Sequence, residues 1–480
     1  MTTAQSMLRA AVEGLRGRAY DLHWDLRARV AKFDLKDGLA LLLASERWPR
    51  ARIDQMRDQK LRSIVAHAYA TIPGYRSLMD ERGVTPADIR GVEDLPKLPV
   101  MTKDILRTRG DELRATDIPD SELEKGSTGG TTGVPMRVAR DRAGTTWQRA
   151  SYWRGFAWGG LTLDKPWVQL FGGSMGYGGR RFNRVKNWFA GKTFLSAFEL
   201  GPHNVAAYVE AIERADARFL VGYASACYQL AHFVETEGLS LRMDAVFPTA
   251  ELIPVQWAET ITRVLGAKVL PYYGCGEVQS LGYSCPDSPT GVFHTCDEHA
   301  VIEVETPNGP AREGEGAFLL TDLDNRAMPF IRYRNGDAGL IAAPGCECGR
   351  SLGRILRLDG RVNDVLFTSA GAPITGALCA HAFRLIDAVE AYQVIQRRHG
   401  HAIVRIVRGR GYDAAAQEPK VHDIFRKYLG QDADIAIEYV DAVAKTPAGK
   451  SRFVINEMLS GGSAVSQGTS ATPPVAPPVA

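Results

Sequence analysis

Gly126-Ser127-Thr128-Gly129-Gly130-Thr131-Thr132-Gly133-Val134-Pro135 is the stretch on which the reading of this chain turns. Its ten residues hold four glycines and four hydroxyl side chains. Such a segment has almost no apolar surface to bury, and its glycines are costly to order. What it offers is bare backbone N–H groups, hydroxyl donors and easy access to positive φ, which are the means of wrapping an anion such as a triphosphate. A flexible linker has a similar composition. It is not a Walker loop, because no Gly-Lys-Ser/Thr closes it. Met136-Arg137-Val138-Ala139 alternates like a strand, so the loop reads as a turn between extended segments.

At 480 residues the chain exceeds one simple core, and a large domain plus a smaller one is expected. With 45% hydrophobic and 24% charged residues it has a globular composition. A net charge of +3 argues against a nucleic-acid partner. No apolar run approaches the roughly 18 residues of a membrane span. The start of the chain carries no signal-peptide-like apolar run, so a cytoplasmic protein is expected. Seven cysteines in such a chain do not suggest a disulfide framework, but five of them crowd between Cys275 and Cys348.

Residues 1–100 read as mainly helical, with helical spacing from Arg52 to Ala70 ended by Thr71-Ile72-Pro73-Gly74, and Thr102 as the N-cap of a further helix. From about 120 to 345 the pattern is α/β. Strands are expected at Trp167–Phe171, Phe219–Tyr223, Ala245–Thr249 and Lys268–Tyr273, alternating with helices to about Glu237 and at Trp257–Leu265. That order suggests βαβ crossovers, a parallel sheet and ligands at the carboxyl ends of its strands. Short antiparallel strands are expected at His299–Glu305, Gly316–Thr321 and Ile331–Tyr333. A smaller α+β lobe follows, with a helix near Ala377–Ile386, strands at Ala391–Gln396 and Ala402–Val407, a helix at Val421–Leu429 and a strand at Ile435–Val440. The expected division is a large domain at 1–359, a small lobe at 360–458 and a Gly/Ser/Thr/Ala/Pro-rich disordered tail at 459–480.

Four later segments share an order with the glycine–threonine loop: Tyr273-Gly274-Cys275-Gly276-Glu277, Ile331-Arg332-Tyr333-Arg334-Asn335-Gly336-Asp337, Gly360-Arg361-Val362-Asn363-Asp364-Val365 and Lys445-Thr446-Pro447-Ala448-Gly449-Lys450. Together they resemble the adenylate-forming superfamily of acyl-CoA synthetases, adenylation domains and luciferases. Gln59-Lys60-Leu61, His67-Ala68-Tyr69, Ile72-Pro73-Gly74-Tyr75 and Asp94-Leu95-Pro96 with Lys103 resemble its phenylacetate–CoA ligase branch, including capsule-biosynthesis-like members. The resemblance spans about 50 to 455. It implies a large multi-sheet α/β domain with a small mobile C-terminal domain, ATP and Mg²⁺ as cofactors, and CoA as co-substrate.

In chemical terms the resemblance implies attack of a carboxylate on the α-phosphorus of ATP, giving an acyl-adenylate and pyrophosphate. Charge must be neutralised at the phosphates and the nucleophile held in line. Ser127, Thr128, Gly129, Gly130, Thr131, Thr132 and Gly133 would grip the phosphates. Glu277 would place Mg²⁺. Tyr273 would stack on adenine, with Gly274 and Glu251 beside the nucleotide. Asp337 would accept from the ribose hydroxyls, and Arg361 would make a second ribose or phosphate contact. Lys450 would reach the α-phosphate and the carboxylate oxygen. Lys450, Glu277 and Thr132 are thus the catalytic candidates, and Asn363 and Asp364 the hinge near 361–364. Two positions depart from the family pattern: Asn363 replaces the usual acidic residue or lysine, and Val134 stands where many members carry a phosphate-loop lysine.

Cys346-Glu347-Cys348-Gly349, with Cys285 and His294 upstream, offers three thiolates and one imidazole, the composition of a structural zinc site. Buried reduced cysteines are the alternative, and Cys296 and His299 compete as ligands. The phenylacetate–CoA ligase branch shows a similar pattern, which implies structural Zn²⁺. Cys275 would line the pocket. The acid pocket is expected among Gly172, Tyr223, Ser225, Thr249, Ala250 and Gly274, where small residues beside aromatics suit a flat aryl or modest acyl acid. The basic loop Gly176-Tyr177-Gly178-Gly179-Arg180-Arg181 reads either as solvated surface or as an acceptor site for an anion such as CoA. The expected function is therefore an AMP-forming carboxylic acid ligase, with CoA as acceptor. The alternatives are transfer to an amine, a hydroxyl or a carrier protein, or a silent scaffold. Expected partners are a small carboxylic acid, the acyl acceptor and a second copy of the chain, with neither nucleic acid nor membrane.

Overall fold

The computed structural model of the chain describes residues 35–128, 136–171, 191–197, 199–361, 365–371, 373–375, 379, 382–383, 385–444 and 453–460. The chain enters through helices α1 (Leu35–Ser45), α2 (Arg50–Thr71), α3 (Pro73–Asp80) and α4 (Lys103–Thr108). Pro73 stops α2 and opens α3, because its ring fits only the first helical turn. Thr102 caps α4 by accepting from Ile105 N at 3.3 Å. The segment just before α4 pairs with the body of the protein: Met101 N donates to Arg332 O, and Arg334 N to Met101 O.

The glycine–threonine loop closes an antiparallel hairpin, as its flanks suggest. β1 (Glu124–Thr128) pairs with β2 (Met136–Arg140) in the register Glu124↔Arg140 to Thr128↔Met136. Residues 129–135 of the loop, including Thr132 and Val134, lie outside the described residues, as do the side chains of Ser127 and Thr128. Helix α5 (Arg142–Trp158) follows, capped by the Asp141 carboxylate, which accepts from Gly144 N.

Strands β3 (Trp167–Phe171), β4 (Lys192–Ser196), β5 (Phe219–Tyr223), β6 (Ala245–Thr249) and β7 (Lys268–Val269) form a parallel sheet in the order β4-β3-β5-β6-β7. The near-continuous apolar runs of β3, β5 and β6 fit strands covered on both faces. α6 (Val205–Arg214), α7 (Ala224–Thr236) and α8 (Val255–Leu265) are the intervening helices. Leu170, Leu220, Val246, Leu230 and Ile261 are completely buried among them. Gly222 is required on β5, since a Cβ there would sit 2.7 Å from Leu170 O.

The expected single strand at Lys268–Tyr273 is instead two. Pro271 separates β7 from β8 (Tyr272–Tyr273), and the chain changes sheets between them. β7 is the edge of the parallel sheet and β8 the edge of the next sheet, so at Pro271 the chain leaves one sheet and joins the other. β8 opens an antiparallel sheet with β9 (Gly282–Tyr283), β10 (Phe293–Thr295), β11 (Ala300–Thr306), β12 (Gly309–Ala311), β13 (Gly314–Asp322), β14 (Tyr333–Ala342) and β15 (Arg354–Arg361), in the order β12-β11-β13-β14-β15-β10-β9-β8. The strand expected at Ile331–Tyr333 begins only at Tyr333, because Arg332 has φ +51° and turns the chain into β14.

Beyond 361 lie β16 (Val365–Phe367), β17 (Pro373–Thr375), β18 (Val389–Gln396), β19 (His401–Arg408), α9 (Ala414–Leu429), β20 (Asp434–Tyr439), β21 (Val454–Asn456) and α10 (Glu457–Ser460). Four of these strands make a sheet in the order β20-β19-β18-β21 around a separate core of Val394, Val404, Ile406, Val421, Phe425 and neighbours. Asp413 caps α9, which therefore starts seven residues before the expected Val421. Half of the helix expected near Ala377–Ile386 lies outside the described residues, with Cys379, Ala382 and Phe383 helical, and nearly all of the tail lies outside them too. This unit rests on α8. Trp257 Nε1 donates to Glu390 O at 2.8 Å, and its ring stacks on Tyr228 (4.9 Å, 9°) and faces Phe453 at 5.9 Å. Among the described residues no helix is long and apolar enough to cross a membrane.

Candidate active site and cysteine–histidine centre

The glycine hairpin and the acidic loop are joined by a residue that the sequence reading passed over. Arg140 ends β2 and is 8% exposed. Its Nη2 donates to the carbonyls of Gly276 and of Glu277, the latter at 3.1 Å. The strand leaving the hairpin is thereby tied to the loop Gly274–Ser280. The sequence carried no signal for it, because the carbonyls it holds lie 136 and 137 residues further along the chain and are brought close only by folding.

Every side of that loop is held. Glu277 Oε1 accepts from Tyr333 Oη at 3.2 Å. Cys275 N donates to Val278 O, and Cys275 Sγ lies 3.3 Å from both the N and O of Val278. Gln279 Oε1 accepts from Tyr152 Oη at 3.3 Å, and Gln279 O is met by His299 Nε2 at 3.0 Å. Ser280, at φ +59°, donates to Gln148 O. Gly274 admits the tight turn, since a Cβ there would lie 2.9 Å from Ser280 N. Burial, followed by the charges of Glu277 and Asp337, pushes the Cys275 thiol well above its usual range and keeps it protonated.

Tyr273, Asn335 and Asp337 form a second cluster. Tyr273 Oη donates to Asp337 Oδ2 at 2.7 Å, and Asn335 Nδ2 donates to the same oxygen at 2.6 Å and to Tyr273 Oη at 3.0 Å. The structure revises the expected stacking platform here. The Tyr273 ring is 7% exposed and packs against Phe293 and Phe318, so its hydroxyl, and not an open ring face, is what it presents. Asn335 was also missed. Lys103, quoted only for its resemblance, lies over this turn, with Nζ 3.6 Å from where a Cβ of Gly336 would be. Asp337 pairs in register with Arg361, whose backbone alone is described. Lys450, Asn363 and Asp364 lie outside the described residues.

The acid-pocket candidates gather at the carboxyl ends of β5 and β6. Tyr223 is buried edge-on to Phe171 (4.9 Å, 85°), and Thr249 Oγ1 donates to Tyr272 O at 3.1 Å. Ala250 adopts φ +68°, a strained value for a residue with a Cβ. Glu251, expected beside the nucleotide, accepts from Ser225 N at 2.8 Å and so sits at the N-terminus of α7, where a carboxylate is favoured. The buried Ser225 hydroxyl lies beside it. Gly172 and the basic loop 176–181 are outside the described residues.

Away from this site, Cys285, His294, Cys346 and Cys348 converge, with their ligand atoms all within 4.8 Å of one another. Cys285 Sγ and Cys346 Sγ are 3.8 Å apart, and Cys348 Sγ and His294 Nε2 3.3 Å. Tetrahedral zinc with bonds of about 2.0–2.3 Å needs neighbouring donors at roughly 3.3–3.8 Å, so the donor set and its spacing fit that ion. Burial, with Arg350 and Arg154 nearby, pushes the His294 imidazole down to about 4, leaving it neutral and able to ligate. Burial also lifts Cys285 to about 11. For Cys346 burial acts upward too, but hydrogen bonds led by the one from Ser288 bring it below its ordinary value. The expected competitors are excluded by geometry: both ring nitrogens of His299 are engaged elsewhere, and Cys296 is not among the four.

Residues 366–457 match the family model described as "CapK C-terminal domain". The chain is 26% identical over 407 residues to a phenylacetate–coenzyme A ligase of Thermus thermophilus, covering 83% of this chain and 87% of that protein. It is 23% identical over 384 residues to the protein CapK of Staphylococcus aureus, covering 76% and 81%. Among solved structures, a 2-hydroxyisobutyryl-CoA ligase in the postadenylation state, in complex with R3-HIB-AMP, superposes with a TM-score of 0.69 at 20% identity, covering 86% of this chain and 91% of that one. The mixed α/β architecture of the adenylate-forming ligases is therefore the fold of this chain.

Proposed function

We propose that this chain, an adenylate-forming ligase in fold with phenylacetate–coenzyme A ligases among its relatives, is an AMP-forming carboxylic acid ligase. The observation that carries the reading is the grip of Arg140 on the Gly276 and Glu277 carbonyls, which brings the phosphate-type hairpin and the acidic loop to one place.

In this reading the acid enters at the carboxyl ends of β5 and β6, beside Tyr223, Ser225, Thr249 and Ala250. ATP lies across the Gly274–Ser280 loop, with its phosphates toward the hairpin. Asp337 accepts from the ribose, oriented by Tyr273 and Asn335. The substrate carboxylate attacks the α-phosphorus, the bond to pyrophosphate breaks, and an acyl-adenylate remains. Mg²⁺ beside Glu277 supplies neutralisation of phosphate charge. Lys450 and Thr132 steady the same charge, Lys103 adds a cation near the ribose turn, and Arg361 contacts the nucleotide from the end of β15. The lobe at 360–458 turns about a hinge near 361–364 to admit CoA, whose thiolate displaces AMP. Structural Zn²⁺ held by Cys285, His294, Cys346 and Cys348 completes the reading.

Pyrophosphate release across a panel of aryl and short acyl acids, with and without CoA, tests it. Release with at least one acid and thioester formation with CoA are expected. Release without thioester would sink CoA as the acceptor, and no release with any acid would sink the ligase. Lys450→Ala should cut release by roughly 10²–10³ while ATP still binds, as for loss of one charge-stabilising donor. Equal loss of both would remove Lys450 from the catalytic role.

A further inference from the structure

The loop that carries Glu277 is fastened from behind by a buried ion cluster with no part in the chemistry above. His299 is 1% exposed. Its Nε2 lies 3.0 Å from Gln279 O, a carbonyl that can only accept, so Nε2 bears a proton. Its Nδ1 lies 2.6 Å from Asp324 Oδ2, while Lys60 Nζ lies 2.6 Å from Asp324 Oδ1. A carboxylate so close to an ammonium stays ionised, and so Nδ1 must donate as well. The ring is an imidazolium held between Asp324 and the loop. Asp322 turns its carboxylate to the backbone N–H groups of Asp324 and Asn325. Lys60 also donates to Glu298 O and lies over the Trp147 ring.

We propose that His299 is a positioning residue: its cationic ring pins the Gln279 carbonyl and so fixes the Gly274–Ser280 loop, holding Glu277 where the Mg²⁺·ATP phosphates are received. This rests on the ligase reading for the role of Glu277. The bond to Gln279 is charge-assisted and desolvated, hence stronger than a neutral one. It acts two residues from Glu277, on a loop with a residue at positive φ that must be held from outside. A partner of this kind around a metal-proximal group changes affinity or activity by roughly 10–100-fold when removed.

The test uses the full chain with His299→Gln, and Asp324→Asn as a second variant that keeps the ring but removes the charge orienting it. Alkylation of Cys275 by N-ethylmaleimide, followed by peptide mass spectrometry, reads the order of the loop without activity. Binding of Mn²⁺·ATP by calorimetry reads the site without an acid. In at least one folded variant Cys275 should react about tenfold faster or more, while buried Cys227 and Cys379 keep their rates. Mn²⁺·ATP should bind about tenfold more weakly, with zinc content unchanged. An unchanged Cys275 rate, a rise shared by all three cysteines, unchanged Mn²⁺·ATP affinity, or failure of both variants to fold would each overturn the positioning role. Wild-type protein that does not bind Mn²⁺·ATP would overturn the ligase reading instead, and the Cys275 rates would still decide whether His299 orders the loop.

Discussion

Two clusters, five residues apart in sequence at their nearest, have the composition of metal sites, and the fold uses them in opposite ways. Cys285, His294, Cys346 and Cys348 bring soft donors together, with the imidazole held neutral by burial and by Arg350 and Arg154, whose guanidiniums are paired with Glu46 and Glu298 and not with the four donors. His299, Asp322 and Asp324 also lie within 4.8 Å of one another, but Lys60 already delivers its ammonium to Asp324, and both nitrogens of His299 are engaged. A dication would meet one formal positive charge on the lysine and another on the ring. The ligand list alone does not separate the two, and the position of the nearest cation does.

The largest effect should come from emptying the first cluster. Replacing both Cys346 and Cys348 by serine should abolish bound zinc and lower the melting temperature by more than 10 °C, since structural zinc is worth on the order of 10 kcal/mol in small domains. A bound ion would tie His294 on β10 to the turn between β14 and β15, a ladder whose far end pairs Asp337 with Arg361. Elemental analysis and thermal melts of the purified protein check this. Wild-type protein with no zinc, and a melt indifferent to chelator, would erase the distinction between the clusters.

Breaking the second cluster should cost less. Lys60→Met leaves Asp324 buried with His299 as its remaining ion-pair partner among the described residues, a change typically worth about 3–5 kcal/mol. Denaturant titration measures it. Zinc content should stay at the wild-type level, and loss of zinc in Lys60→Met would mean that the two clusters are one site.

The pH dependence separates them further. For His299 burial acts downward, but the bond to Asp324 and the charges of Asp322 and Asp324 outweigh it, and the imidazole is raised. A raised base contributes fully below its unfolded value of about 6.5, and that contribution is lost as pH rises through the folded value. Asp324 is the reverse case: burial acts upward, Lys60 and His299 act downward, and the result is lowered. Its contribution is present above the unfolded value of about 3.9 and is lost as pH falls through the folded one. The stability gap between wild type and His299→Gln should therefore shrink as pH rises above about 6.5 into the alkaline range, by about 1.4 kcal/mol for each unit by which His299 is raised. A gap constant over that range would mean that the ring is neutral.

The sequence made one cluster legible and hid the other for a physical reason. Cys-x-Cys-Gly and an upstream Cys and His are unusual side chains, and their types announce their chemistry. Lys60, His299 and Asp324 are common residues far apart in the chain, and only the docking of α2 against the end of β13 makes them a unit. The fold divides in the same way. β3, β5 and β6 were readable to the residue because a buried parallel strand is a bounded apolar run. The Lys268–Tyr273 strand was misread as one piece, since an apolar run does not reveal that Pro271 hands it from one sheet to another. At the candidate active site, Glu277 and Asp337 could be found by motif, whereas Arg140 and Asn335 act on neighbours brought close only by folding.

The smallest expected effect is the coupling between the clusters. Glu298 lies between them in sequence: its carbonyl accepts from Lys60, while its carboxylate accepts from Arg154 and Ser45. Arg154 lies beneath the Trp158 ring, which packs edge-on to His294 at 5.5 Å. Both clusters therefore anchor the same short segment, from His294 to His299. Once one anchor is lost the segment is looser, and less remains for the second loss to disrupt. A cycle of Cys348→Ser and Lys60→Met should show the double variant less destabilised than the sum of the singles, by about 0.5–1 kcal/mol, the low end for sites that share partners. Strict additivity in denaturant titrations would show two independent clamps. A double variant worse than the sum would show that each cluster compensates for the other, and that the segment holds its place only while one of them is intact.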